Sequence, residues 1–279
     1  MKKIIPFYQI VSCFFFSLLG LQIKLLFQES NIENIVFYRS FLGTLILFLI
    51  IIHKKEKLKT ILKTDDIKIH FFRSLCGILA MYFGYKSLMY LSLAQASTIG
   101  FSKVFFTCII SAIIFNEKVK GTIVFCIILG FIGIFLITNP DKINSQLGMY
   151  MSIFSAICVS GGIISISYLS KKDKTITILF YHSLFSSFIF FIIFNHKIIL
   201  DNNFLIIKYL TLTLTALIAQ FFNTESYKND LTQNVVILSY SRIIFSTILG
   251  VLILDDQITW INIIGIIIVI LTTFLVQKK

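Results

Sequence analysis

The chain has 279 residues, 57% of them hydrophobic, and a mean hydropathy of +0.91. So little polar sequence cannot cover a soluble domain of this length, which excludes an ordinary water-soluble fold. A net charge of +12 would point a soluble protein toward nucleic acid, but here each charge must first be placed along the chain.

Apolar blocks between polar breaks predict helices over 6–28, 33–52, 69–91, 94–115, 120–138, 147–170, 175–195, 204–227, 231–254 and 258–277, called spans 1 to 10 below. Each approaches the ~20 apolar residues needed to cross a hydrocarbon core about 30 Å thick. The opening Met1-Lys2-Lys3 resembles a signal peptide, yet the run that follows is too long for one and lacks a cleavage pattern. It reads as span 1. The breaks at Leu91-Ser92-Leu93 and Asn116-Glu117-Lys118 are very short, so the spans they join are antiparallel neighbours. The longest break, His53 to His70, is rich in lysine. Cys13, Cys76, Cys108, Cys126 and Cys158 all fall inside apolar blocks with no C-x-x-C pair. They read as small buried hydrophobes, and neither a metal nor another cofactor is expected.

With an even number of spans both termini share one side of the membrane. That side collects sixteen lysines, at the two ends, in the 53–70 break and around Lys118, Lys171 and Lys228, against Lys142, Lys197 and Lys208 opposite. Basic loops stay inside, so both termini are expected in the cytoplasm and the protein in the cytoplasmic (inner) membrane. The strong positive charge is then topology, and no nucleic-acid partner is expected.

An internal repeat is visible. Tyr38-Arg39-Ser40 in span 2 matches Tyr181-His182-Ser183 in span 7, and at the same offset Ser12 aligns with Ser155 and Ser17 with Ser160. Phe101-Ser102-Lys103 in span 4 matches Tyr240-Ser241-Arg242 in span 9, and Asn116-Glu117 matches Asp255-Asp256. The expected fold is an all-α membrane protein of ten transmembrane helices in two five-helix repeats, 1–145 and 146–279. An odd number of helices per half makes the second copy insert upside down. Inverted repeats are a recurring plan of secondary transporters, with the solute site near the midplane.

Phe37-Tyr38-Arg39-Ser40, Arg73-Ser74-Leu75, the run from Ala94 to Asn116-Glu117, Gly130-Phe131-Ile132-Gly133-Ile134 and the stretch Tyr240 to Asp256 carry a family resemblance. The chain resembles the EamA-type branch of the drug/metabolite transporter superfamily over nearly its whole length. The resemblance implies a central cavity lined by spans 3, 4, 8 and 9, with 1 and 6. Relatives often carry a proline in the middle of span 4, where this chain reads Ser102-Lys103-Val104, so a kink there is not implied.

With Lys120 and Lys208 counted to the loops they adjoin, six basic residues lie within spans: Lys24, Arg39, Arg73, Lys86, Lys103 and Arg242. A charge at the bilayer centre costs at least about 2.5–3.5 kcal/mol, so each needs a cavity, a partner or an escape to the interface. Lys24 and Lys86 lie near span ends and are expected to snorkel, and Arg73 sits at the start of span 3. Arg39 falls in a span expected to be peripheral, where bonding to backbone carbonyls and a functional role both stay open. Lys103 and Arg242 lie roughly 14–17 Å from their span starts, at mid-membrane, in equivalent positions of the two halves. No acid shares their depth, which favours an anionic ligand held by a forked arginine and a lysine point charge. Neighbours on the same faces include Phe101, Thr107, Tyr240 and Ser246. Ser160, Gly161, Gly162 and Ser165 in span 6 suit close packing. Glu225, the one acid inside a span, is either a coupling or gating carboxylate or an ion-pair partner of Lys228; Lys86 is its repeat counterpart.

These features predict a secondary, alternating-access transporter of a small anionic or zwitterionic metabolite, embedded in the lipid bilayer. Protons are a candidate coupling ion and a homodimer a candidate assembly. An alternative is a carrier of adenosyl- or nucleotide-type metabolites, with Phe101, Phe105 and Tyr240 stacking a base. A non-transporting accessory subunit is the alternative from another class. No H-E-x-x-H, metal-spaced cluster or Ser/His/Asp set supports an enzyme.

Overall fold

The computed structural model describes residues 4–53, 61–91, 93–138, 145–198, 203–228, 230–254 and 259–277. Asp255-Asp256, Lys142, the four lysines between 54 and 59 and the terminal lysine pairs lie outside the described residues.

Among the described residues the chain forms twelve α-helices and no strand. They are α1 (Ile4–Leu26), α2 (Ile32–His53), α3 (Ile67–Ser87), α4 (Leu93–Gly100), α5 (Lys103–Phe115) and α6 (Gly121–Thr138). The second half holds α7 (Gln146–Leu169), α8 (Thr175–Phe194), α9 (Asn203–Ser226), α10 (Thr232–Leu238), α11 (Ser241–Leu254) and α12 (Trp260–Gln277). Spans 4 and 9 are therefore each divided in two. Seven stretches are long and apolar enough to cross a membrane, with Gly121–Ile137 and Trp260–Leu275 shorter apolar helices beside them. The missing proline of span 4 does not keep that helix whole.

Short connections close by local polar chemistry. Asn116 ends α5 in the left-handed conformation (φ 51°), which asparagine tolerates better than most side chains. Glu117 then turns its carboxylate to the backbone N–H groups of Thr232 and Gln233, at 3.0 and 3.4 Å. It thereby caps the start of α10 from the other half of the chain. Ser145 caps α7 by accepting from the Gly148 N–H at 3.2 Å.

The helices pack in related couples. α3 lies on α7 and α1 on α9; α5 lies on α7 and α1 on α11; α3 lies on α8 and α2 on α9. α2 with α8 and α6 with α12 complete the bundle. The α6–α12 pair is close because Gly133 and Gly265 face each other, and a Cβ on Gly265 would stand 2.6 Å from the Gly133 carbonyl oxygen. Small residues let helix backbones approach, which is where association in lipid gains its van der Waals energy. Val104, Val236, Ile237, Tyr240, Ile134 and Val269 form the heart of the largest buried cluster, while Ile113, Phe188 and Leu252 stand fully outside. Such an exposed apolar surface suits acyl chains, not water.

Polar and charged pairs collect at the two ends of the bundle. His70 Nε2 lies 2.8 Å from Asp173 and Lys172 lies 2.9 Å from Asp66, fastening the start of α3 to the α7–α8 turn. Hydrogen bonds to the Tyr168 hydroxyl and to Asp66 hold the Lys172 ammonium above the usual lysine range. At the opposite end Lys208 pairs with Glu29 at 2.5 Å and Lys197 approaches Glu33 at 3.6 Å.

Candidate functional site

The site begins where two helices break. At Phe101-Ser102 the α-helical ladder gives way to i→i−3 bonds, Ser102 N–H to the Ile99 oxygen and Val104 N–H to the Phe101 oxygen, both 3.0 Å. The same happens at Ser239-Tyr240, where Tyr240, Arg242 and Ile243 each donate to the carbonyl three residues back at 3.0–3.1 Å. Tighter turns of this kind shift the ladder and leave carbonyls to be satisfied from outside the helix. Serine hydroxyls help here, because they compete for backbone carbonyls: Ser239 Oγ donates to Val236 at 2.6 Å and Ser241 Oγ to Leu238 at 2.8 Å.

The carbonyls of the two cationic residues are held from a neighbouring helix. Ser160 Oγ on α7 lies 3.0 Å from the Lys103 carbonyl oxygen and 2.9 Å from that of Ala156. Ser17 Oγ on α1 lies 2.9 Å from the Arg242 carbonyl oxygen and 2.9 Å from that of Cys13. A second couple repeats the pattern one turn away, Ser12 Oγ to Ala219 at 2.9 Å and Ser155 Oγ to Ala80 at 2.8 Å. The serines aligned by sequence offset therefore make the same bonds to partners that are themselves equivalent.

A cavity of about 310 Å³ opens between these breaks, at the small end of the ~300–1,000 Å³ typical of small-molecule sites. Lys103 and Arg242 line it, with Phe101 and Ser246. Lys103 Nζ sits 5.2 Å above the Phe101 ring and the Arg242 guanidinium 5.6 Å from the Phe16 ring, so each cation rests on an aromatic face. Neither has an ion-pair partner among the described residues, and no Asp or Glu lines the cavity. Neutral polar groups, Gln9, Gln220 and Asn223 among them, complete the wall.

Other predicted residues lie elsewhere. Thr107 is wholly enclosed away from the cavity. Tyr240 is equally buried, packs against Phe101 at 5.7 Å and donates its hydroxyl to the Ile127 carbonyl at 3.3 Å. Lys86 hydrogen-bonds Tyr82 at 3.3 Å and lies over its ring. Glu225 accepts from Thr175 and from Lys228 at 2.6 Å, at the rim of a larger apolar groove of about 520 Å³ between α2, α8 and α9. That groove is lined by exposed side chains such as Leu214 and Phe221, and the charged residues described on it are Lys174, Glu225 and Lys228.

The cavity also takes in residues that the sequence analysis notes but does not place there. Arg39 from α2, Arg73 from α3 and His182 from α8 all reach it, so α2 and α8 join its wall. Arg73 does not turn back to the start of α3. Its Nη1 lies where it would stand 2.6 Å from a Cβ on Gly77, one turn deeper. Arg39 rests its Nη1 on the sulfur of Met81 and bonds no carbonyl among the described residues. The available signal was the match of Arg39 with His182, two equivalent polar residues on two helices that pack together.

Among the described residues no group of His, Cys, Asp and Glu could hold a metal ion. Broken apolar helices around a chamber of small-molecule size with basic groups on its wall are the architecture of a multi-pass membrane transporter. The model of the EamA-like transporter family matches residues 3–139 and 146–277, and the chain belongs to that family. An uncharacterized transporter of Helicobacter pylori (strain ATCC 700392 / 26695) is 28% identical over 229 residues, 79% of this chain and 76% of its own. The pseudopaline exporter CntI of Pseudomonas aeruginosa (strain PAO1) is 21% identical over 245 residues, 85% of this chain and 83% of its own. A solved crystal structure shares the fold with a TM-score of 0.75 at 12% identity, covering 98% of this chain and 95% of that one.

Proposed function

We propose that this EamA-like transporter moves a small anionic or zwitterionic metabolite across the cytoplasmic membrane by alternating access. The observation that carries the reading is the pair Lys103 and Arg242, facing one cavity from two broken helices with no acid on its wall. Buried cations without a counter-charge are costly, and an incoming carboxylate or phosphate removes that cost. The starts of α5 and α11 add the positive ends of their helix dipoles to the same space.

The chain is read as ten spans in two inverted halves, 1–145 and 146–279, with both ends in the cytoplasm. Three findings support the halves. The family model matches over two stretches, the helix pairs come in couples that exchange halves, and the serine bonds repeat at the sequence offsets. A cavity shared by two such halves opens to either side when they rock about it. The Pseudomonas relative is an exporter, which supports export as the direction to test first. Stacking of a base is less well supported, because Tyr240 is enclosed in the core.

Transport into liposomes of purified protein tests the assignment. Lys103→Ala and Arg242→Ala are each expected to lower the rate at least about tenfold, the equivalent of ~1.4 kcal/mol of binding. Undiminished transport of the same solute in both variants would sink the site.

A further inference from the structure

The cavity has a second basic wall. Arg39, Arg73 and His182 come from three different helices, are each largely buried and line the same chamber as Lys103 and Arg242. Arg39 bears electrostatically on Arg73, and both bear on His182, while Arg242 bears on Lys103. Arg39 and Arg73, with the imidazole of His182 beside them, thus form one neighbourhood, and Lys103 and Arg242 the other. The Nε atoms of Arg39 and Arg73 are enclosed and have no hydrogen-bond partner, and the one recorded partner of Arg39 is a thioether, a weak acceptor. A purely structural arginine would bond carbonyls or a carboxylate.

Space for this wall is built by glycine. A Cβ on Gly77 would stand 2.5 Å from His182 Cε1 and 2.6 Å from Arg73 Nη1, so any larger residue would push both out of place. Gly162 on α7 likewise faces Arg73 Nη1 across 3.7 Å. The first wall has its own opening, Gly20, whose Cβ would meet Arg242 Nη2 at 3.6 Å.

We infer that Arg39, Arg73 and His182 form a second anion subsite, so that the carried solute has two separate acidic groups, one for each wall. This rests on the reading of the cavity as the solute path and narrows its substrate class to dianions of dicarboxylate type. One acidic group would leave one basic wall unneutralised. Two acids on one short skeleton neutralise both, and each arginine fork offers paired hydrogen bonds to a carboxylate.

The full chain in lipid nanodiscs provides the test, by ligand-dependent thermal stabilisation, which rises with site occupancy. The probes are a series of α,ω-dicarboxylates from succinate to adipate, monocarboxylates of matched length, and inorganic phosphate. The best dicarboxylate is expected to half-saturate at a concentration about tenfold or more below its matched monocarboxylate, as a second charge-assisted contact implies. Arg73→Gln should bring the two to parity, whereas Lys103→Gln should weaken both and keep the order between them. Gly77→Ala keeps every charge and should also erode the advantage, and Arg39→Gln replaces Arg73→Gln if that protein is not monodisperse. An advantage that survives these variants, or is absent from the wild type, overturns the second subsite and leaves the first standing. Phosphate competing as well as the best dicarboxylate overturns it in favour of one doubly charged group. Failure of every anion to bind the wild type overturns the transport-site reading itself.

Discussion

The two walls of the cavity are basic for different structural reasons. Lys103 and Arg242 stand at helix breaks, where the backbone turns and serines of α7 and α1 hold the freed carbonyls. Arg39, Arg73 and His182 stand on unbroken helices and reach the chamber through side-chain length and the absence of a Cβ at Gly77. One wall is made by the main chain and the other by side chains. The difference teaches that charge can be delivered to one chamber in two ways. Lys103 and Arg242 are brought there by breaks in their helices, whereas Arg39 and His182 arrive on the packed pair of unbroken helices α2 and α8.

Perturbations of each wall sharpen that contrast. The largest expected effect is that of removing the hinge-borne charges, the Lys103→Ala and Arg242→Ala transport losses given above. Next comes the α6–α12 contact that lies outside both walls. Gly265→Ala should destabilise the protein by about 1–3 kcal/mol through overpacking, seen as a lowered midpoint in thermal unfolding, with little change in solute affinity. A change in affinity of equal size would mean that this contact also shapes the cavity. Smaller still are the serines. Ser17→Ala and Ser160→Ala each remove one donor from a break carbonyl, a loss of about 1 kcal/mol, and should slow transport by similar factors. Markedly unequal effects would break the equivalence of the two hinges. The smallest effect is expected at the rim, where Glu225→Gln should leave transport within about twofold, because a partly exposed ion pair with Lys228 contributes ~0–1 kcal/mol. Loss of a proton-driven component in that variant would instead return Glu225 to the coupling role.

Much of this was legible in the sequence. The apolar blocks lie within a few residues of the observed helices, because in lipid the backbone must bond internally and length is set by thickness. Lys103 and Arg242 were legible by their depth, and the serine alignments anticipated bonds that only coordinates display. The breaks were not legible, since they use i→i−3 hydrogen bonds and serine side chains and carry no proline to mark them. The second wall was hidden for another reason. Arg73 lies close to a helix start by residue count, and only the clearance at Gly77 shows that it reaches inward.

The doubly placed hydroxyls of Ser17 and Ser160 carry one more consequence. Each has two oxygens in reach, one in its own helix and one across the joint. A donor shared in this way keeps a partner in its own helix whether or not the carbonyl across the joint is within reach, so the hydroxyl itself is never left unpaired in an apolar bundle.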